Sequence, residues 1–230
     1  MILNIETSSR KCSVALADAG VVCFSLESEN DMDHSSKLAP FVERCMEELM
    51  RRELELDAVA VSIGPGSYTG LRIGLSLAKG LCFGKDIPLI GVSTLKILAV
   101  KAMFKAESFN ENLIYIPMID ARRMEVYTAV YDISLKALME PCALILERDS
   151  YSAFKSYPAV LVGDGVDKAK DLIDIPIENC ISCLPHAIDM IALSEKSFRE
   201  KDFLDLAYST PFYLKNFQAT TPKTLFNNKC

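Results

Sequence analysis

Apolar and polar positions follow two different rhythms along the first quarter of the chain. Residues 1–7, 11–18 and 21–27 are mostly apolar runs separated by the polar turns SSR and DAG. This spacing predicts a meander of three strands. Apolar side chains then recur every three or four residues over 36–50, opposite a face rich in glutamate and arginine, which predicts an amphipathic helix.

A glycine-rich turn lies between the next two predicted elements. Residues 57–63 form a nearly continuous apolar run, which is typical of a strand buried on both faces. The turn GPGS follows, and a second helix is predicted over 68–84. A buried strand over 87–92 and a helix over 94–105 complete this half of the chain.

The second half of the chain repeats the order of the first. Residues 116–130 match the strand, acid, turn and strand of residues 2–16, and they place Asp120 where Glu6 stands. Residues 160–173 repeat the order of strand, Gly-x-Gly and helix found around the glycine-rich turn. Two matches in the same order predict a duplicated α/β lobe, each lobe being a mixed sheet flanked by helices.

The stretch KAESFNENL separates the two repeats, so we place the lobes at residues 1–105 and 106–216. Residues 217–230 contain lysines and no acid, and we expect a basic, disordered tail there. Two such lobes, each with an acid at its first hairpin, resemble the actin-like ATPase superfamily with its ribonuclease H-like fold. Members of that superfamily bind ATP between the lobes.

Composition and charge exclude several classes of protein. With 230 residues, half of them hydrophobic, the chain can bury a sizeable core. No uncharged apolar run reaches the roughly 18 residues of a membrane-spanning helix, and no basic leader is visible, so we expect a cytoplasmic protein without membrane contact. The formal net charge of −6 disfavours direct binding to a nucleic-acid backbone, which requires a basic face.

The cysteines and histidines give little evidence for a metal site or a catalytic site. The eight cysteines are scattered, several of them within apolar runs, and we expect reduced core residues. Cys180 and Cys183, followed by His186, have a metal-like spacing, but zinc takes four ligands and no second cysteine pair matches. His34 is far from His186 in the sequence. We therefore predict no metal site and leave the role of the two cysteines open.

The turn SIGPGSYTGLRIG lacks the signatures of nucleotide-binding loops. Thr69 stands where a dinucleotide fingerprint needs glycine, and no Gly-Lys-Ser/Thr sequence ends the loop. Pro65 removes a backbone N–H group that would hold phosphate. The following helix carries Gly70, Gly74 and Ala78 on one stripe. Such a stripe indicates the close approach of another backbone, either the protein's own sheet or a helix of another chain.

The sequence around Glu6 and Asp120 gives only weak support for nucleotide binding. The first hairpin of actin-like kinases carries glycines that contact phosphate, whereas ETSSRK and DARRM contain none. Thr7 and Ser8 are candidate donors, and Glu6 or Asp120 is a candidate ligand for a magnesium-bound water. We expect no tight ATP binding by the isolated chain. The alternative is an actin-like small-molecule kinase, in which Glu6 and Asp120 would surround magnesium ATP.

Five segments together are similar to the TsaB (YeaZ) family of bacterial tRNA threonylcarbamoyladenosine biosynthesis. They are ILNIETS, GPGSYTGLRIG, GVSTLKILA, IDARRMEVYTAVYD and PFYLKN, in order from residue 2 to about residue 216. The resemblance implies the actin-like fold, no tightly bound cofactor and no catalytic role. In the catalytic paralogue a His-x-x-x-His pair binds metal. The matching positions here are Thr94 and Leu98, so the resemblance implies that this metal centre is absent.

The resemblance also implies partners. Family members pair with a TsaD-like transferase, help to recruit a TsaE-like ATPase, and form a homodimer when alone. ATP or ADP would lie at the inter-subunit surface, and tRNA would be reached only through the complex. The family docks through the helices that match 36–50 and 68–83, which include the small-residue stripe. The expected docking residues are Leu38, Phe41, Val42, Cys45, Gly66, Ser67, Tyr68, Thr69, Gly70, Leu71, Arg72, Gly74, Leu75 and Ala78.

Overall fold

The first lobe is built on a five-stranded mixed sheet. The computed structural model describes residues 1–31, 33–105 and 110–215. The strands of this sheet are β1 (Ile2–Glu6), β2 (Ser13–Asp18), β3 (Val21–Glu27), β4 (Ala58–Gly64) and β5 (Leu89–Ser93). Their order is β3-β2-β1-β4-β5, in which β1 pairs antiparallel with β2 and parallel with β4.

Three helices follow the strands of the first lobe, namely α1 (His34–Arg51), α2 (Tyr68–Lys85) and α3 (Thr94–Phe104). The apolar side chains of α1 share one face because they recur every three or four residues. Ser67 caps α2, since its Oγ accepts a hydrogen bond from the backbone N–H of Gly70 at 3.2 Å. The helix therefore begins directly after the glycine-rich turn.

The second lobe repeats this topology with shorter helices. Its strands are β6 (Ile114–Asp120), β7 (Glu125–Tyr131), β8 (Ala137–Ile145), β9 (Ala159–Val162) and β10 (Ile177–Ile181). Their order, β10-β9-β6-β7-β8, is that of the first sheet read from the other edge. α4 (Val166–Ala169) stands where α2 stands in the first lobe, and α5 (Ile191–Glu200) where α3 stands. The predicted duplicated fold is confirmed.

The predicted elements of the first lobe agree with the structure to within a few residues, and those of the second lobe agree less well. The helix predicted inside residues 160–173 is only the four-residue α4. The sequence pattern does not predict strand β8, because the strand contains Pro141 and proline is unusual within a strand. Among the helices of the described ranges, none combines the length and apolar character needed to cross a bilayer.

The two faces of the first sheet carry different layers of helices. α1 and α2 cover one face, and their buried side chains pack with Leu3, Ile5 and Val61. The opposite face packs against Ile97 of α3 and against residues of α5 and the turn before it. α5 follows the second sheet in the sequence yet covers the first sheet, so the two lobes share a core layer.

Candidate functional site

Glu6, at the end of β1, is directed into the core and has no exposed surface. Its Oε1 accepts hydrogen bonds from the N and Oγ of Ser8, both at 2.5 Å. Within the described residues its Oε2 has no hydrogen-bond partner. Burial raises the pKa of Glu6 to about 7, although the hydrogen bonds from Ser8 act in the opposite direction. Glu6 therefore exchanges a proton near neutral pH instead of carrying a fixed negative charge.

Thr7 is directed to the other face of β1, against α2. A Cβ atom added at Gly74 would overlap the Oγ1 of Thr7, and one at Gly70 would overlap the carbonyl oxygen of Thr7. Ala78 is fully buried in the cluster beneath the same helix. The stripe of small residues thus faces the protein's own sheet. Of the two alternatives that the sequence left open, packing within the chain is the correct one.

Other predicted docking residues are also buried within this chain. Leu38, Val42 and Cys45 of α1, like Leu71 and Leu75 of α2, expose at most 5% of their surface. The apolar face that these residues form on each helix is therefore covered by the chain itself. The predicted residues that keep exposed surface are Phe41, Gly66, Ser67, Tyr68, Thr69 and Arg72.

The exposed face of α2 carries a second seam, which we call the outer seam. Its members recur at spacings of four and three residues, as in helices that pack along another helix, and are Thr69, Ile73, Ser76, Gly80 and Phe83. A Cβ atom at Gly80 or Gly84 would meet no atom of residues 1–31, 33–105 or 110–215 within 4 Å. Phe83 exposes 83% of its surface. Packing among the described residues therefore does not explain Gly80, which lies in the helix interior, where glycine costs about 0.8–1 kcal/mol.

The sequence contained a signal for the outer seam. The helix has two pairs of glycines four residues apart, Gly70 with Gly74 and Gly80 with Gly84. A helix that packs on its own sheet needs only one close-contact stripe, so the second pair indicated a second contact.

A cleft of about 590 Å³ separates the lobes at the hairpins. The β1–β2 hairpin and the start of α2 line it from the first lobe, and the β6–β7 hairpin lines it from the second. The lining residues are Ser8, Ser9, Arg10, Gly66, Ser67, Tyr68, Thr69, Ile119, Asp120, Ala121, Arg122, Tyr127 and Asp164. Of the predicted nucleotide contacts, Ser8 and Asp120 line this cleft, whereas Glu6 and Thr7 are enclosed behind it.

Asp120 is already engaged by its own lobe. Its Oδ1 accepts hydrogen bonds from the backbone N of Arg122 at 2.6 Å and from Nζ of Lys168 at 2.5 Å. The backbone N of Asp120 donates to Oδ1 of Asp164 at 2.9 Å. Burial raises the pKa of Asp164, and the charge of Arg10 on the opposite hairpin lowers it. Asp120 and Arg10 of the cleft are thus each paired with a residue outside its lining, Lys168 and Asp31.

Magnesium ATP, the ligand that the actin-like fold implies, does not fit these residues. Glu6 is enclosed and Asp120 is paired with Lys168. The hairpins present side chains where glycines would let phosphate approach the backbone. In the part of the chain that the structure describes, no three His, Cys, Asp or Glu side chains are grouped to hold a metal ion. The cleft offers neither two free acids nor a backbone cradle.

The two histidines stabilise the fold. His34 donates from Nε2 to the carbonyl oxygen of Ser9 at 3.0 Å, which ties α1 to the β1–β2 hairpin. His186 caps the turn before α5, where its Nδ1 accepts from the backbone N of Ile188 at 3.3 Å. Cys180 is exposed on β10 and Cys183 is half-buried, both with free thiols.

The sequence matches one protein family over most of its length. A family model described as "TsaD: tRNA N6-adenosine threonylcarbamoyltransferase" matches residues 28–221. The "tRNA threonylcarbamoyladenosine biosynthesis protein TsaB" of Escherichia coli is 32% identical over 227 residues, which cover 94% of each chain. A "tRNA N6-adenosine threonylcarbamoyltransferase" of Chromobacterium violaceum is 32% identical over 112 residues, 42% of this chain and 33% of that protein.

The fold matches a solved structure of the same group. The structure described as "YeaZ from Pseudomonas aeruginosa" superposes with a TM-score of 0.79 at 28% identity, covering 93% of this chain and 99% of that one. The similarity thus extends over both lobes. The transferase of Chromobacterium violaceum aligns with 42% of this chain, whereas the transferase family model matches residues 28–221.

Proposed function

Because this chain belongs to the TsaB (YeaZ) family, we propose that it is an accessory subunit of tRNA threonylcarbamoyladenosine biosynthesis that pairs with a TsaD-like transferase. The outer seam of α2 is the observation that carries the pairing proposal. Gly80 and Gly84 leave the helix backbone uncovered, and Phe83 beside them is an exposed aromatic anchor. Another helix can approach such a seam closely and bury the aromatic ring.

The interior of α3 supports a non-catalytic role. Thr94 and Leu98 stand where the family resemblance places the two metal-binding histidines of the catalytic paralogue. Both side chains are fully buried, and Leu98 packs in the cluster between α3 and the second sheet. Leucine provides no donor atom for a metal. We therefore assign the transfer chemistry to the partner.

The similarity to a transferase favours a related partner. The transferase family model matches residues 28–221, a range that includes α2, so a helix like α2 in the partner can pair with α2 in a pseudo-symmetric dimer. The same seam would pair two copies of this chain when the partner is absent. A TsaE-like ATPase and any ATP or ADP would then bind at the joint surface, and tRNA would contact the complex mainly through the partner.

The pairing is tested by Gly80→Leu in the full chain, mixed with the TsaD-like protein of the same organism. A leucine at this position fills the space that the partner helix needs, so the dissociation constant should rise about tenfold or more. Isothermal titration calorimetry with light scattering measures the affinity and the size of the complex.

Lys196→Leu is the matched control. Lys196 is exposed on α5, away from the outer seam, so this leucine should leave the affinity unchanged. Equal affinities of Gly80→Leu and the unmodified chain would refute docking through the outer seam. Failure of the unmodified chain to bind would refute the pairing itself.

A further inference from the structure

The chain after α5 crosses the molecule without regular secondary structure, and we call residues 202–215 the C-terminal strap. The strap begins on the first lobe, where the backbone N of Leu204 donates to the carbonyl oxygen of Leu89 at 2.8 Å, on the free edge of β5. The Leu204 side chain covers Gly91, and Leu206 packs against the core under α1 and α2. The start of the strap is thus fixed to the first lobe.

The middle of the strap holds the docking helix. Nζ of Lys79 on α2 donates to the carbonyl oxygens of Ala207 and Ser209, at 3.2 and 2.8 Å. Asp205 fixes this turn of the strap, because its Oδ1 accepts from the backbone N of Ala207 at 2.8 Å. The flank of α2 beside the outer seam is therefore attached to the strap.

Farther along, the strap covers the glycine-rich turn. The backbone N of Phe212 donates to the carbonyl oxygen of Ile63 at 2.7 Å. The carbonyl oxygen of Phe212 lies so close to Gly64 that a Cβ atom there would come within 2.6 Å of it. The ring of Tyr213 stacks on Tyr68, the first residue of α2, with 4.9 Å between centroids. Both the turn and the start of α2 thus contact the strap.

The strap ends on the second lobe. Lys215 forms an ion pair with Glu125 of β7, whose side chain is only 16% exposed. Phe212 also lines a cavity of about 380 Å³ whose other walls include Tyr131 and Pro141 of the second lobe. One short segment therefore contacts the first lobe, the docking helix, the glycine-rich turn and the second lobe in sequence.

We propose that the C-terminal strap couples partner docking on α2 to the position of the second lobe. A partner that fixes α2 also fixes the strap held by Lys79 and Tyr68. The ion pair of Lys215 with Glu125 transmits that constraint to the β7 side of the inter-lobe cleft. The docking half of this inference rests on the proposed function, whereas the coupling between lobes is a property of the free chain.

The coupling is tested in the free, full-length chain by hydrogen exchange after Glu125→Lys. This substitution lies in the second lobe, yet it should speed exchange of the amides at residues 64 and 66–70 of the first lobe about threefold, the scale of one partly exposed ion pair. Lys215→Glu should do the same. Combining both substitutions restores opposite charges and should restore the original rate.

Glu147→Lys, an exposed charge reversal on the same lobe, is the control and should leave residues 64–70 unaffected. Faster exchange confined to the second lobe after Glu125→Lys would overturn the coupling.

Binding to the TsaD-like protein should weaken about threefold in Glu125→Lys and recover in the charge-swapped pair. Unchanged affinity would overturn the link to docking. If the unmodified chain binds no partner, the proposed function fails while the exchange result stands.

Discussion

Glu6 occupies the position at which each lobe carries an acid, but its environment differs from that of Asp120. One of its oxygens is hydrogen-bonded and the other is not, and burial raises its pKa from 4.5 to about 7. The folded state therefore binds this proton more tightly than the unfolded state does. The stability due to the protonated side chain is complete below about pH 4.5 and is lost as the pH rises through about 7.

Glu6→Gln should remove this pH dependence, because the amide keeps the shape and an acceptor oxygen but carries no charge. The variant should match the original chain in free energy of unfolding below about pH 4.5. It should exceed that chain at pH 8 by a margin of roughly 3 kcal/mol at most. Urea unfolding at several pH values measures the difference. Glu55→Gln, an exposed control, should retain the original profile, and a retained profile in Glu6→Gln would contradict the assignment.

At the scale of the element, glycine has a different role on each of the two faces of α2. Gly74 is pressed against Thr7, so its missing side chain is required by packing within the chain. Gly80 faces open space, so no residue in the described part of the chain requires it. The same residue type in one helix therefore serves the fold at one position, and the proposed complex at the other.

Gly74→Ala and Gly80→Ala should thus change stability in opposite directions. The added methyl group at Gly74 overlaps Thr7 and should cost about 1–3 kcal/mol. At Gly80 the better helix propensity of alanine should contribute up to about 1 kcal/mol. Thermal unfolding of dilute free chain measures both. A destabilising Gly80→Ala would indicate that the outer seam is covered within the chain.

Periodicity in the sequence predicted the elements of the first lobe and the duplicated order of the lobes. It did not identify the outward face of α2, because the polar stripe of Thr69, Arg72, Ser76 and Lys79 is narrow and apolar or small residues surround the rest of the helix. The inward direction of Glu6 could have been predicted. Alternation along β1 puts it on the same face as Ile2, and Ile2 belongs to an apolar core. No periodic pattern of apolar residues predicts the path of the C-terminal strap.

At the scale of the whole molecule, the repeats and the folding units do not coincide. The boundary near residue 105 separates two similar sequences, but α5 packs on the sheet of the first repeat. Leu193 and Phe198 of α5 contact the cluster that contains Ile2 and Ile90. Each lobe therefore completes its core with residues from the other half of the chain.

The full chain should accordingly unfold in one cooperative transition, and the fragment 1–105 should not fold alone. Without α5 the fragment exposes the apolar face around Ile2 and Ile90, so it should bind a hydrophobic dye and lack a sharp thermal transition. Calorimetry and dye fluorescence check both. A cooperative transition in the isolated fragment would show that α5 is dispensable.

The duplication is unequal, and the inequality limits how the protein can assemble. Between the fourth and fifth strands of its sheet the first lobe has the 18 residues of α2, whereas the second lobe has only the four of α4. A protein with a full docking helix on both lobes would have a valence of two, and its copies could add end to end into filaments. With one such helix, the docking that we propose through α2 has a valence of one and stops at a pair.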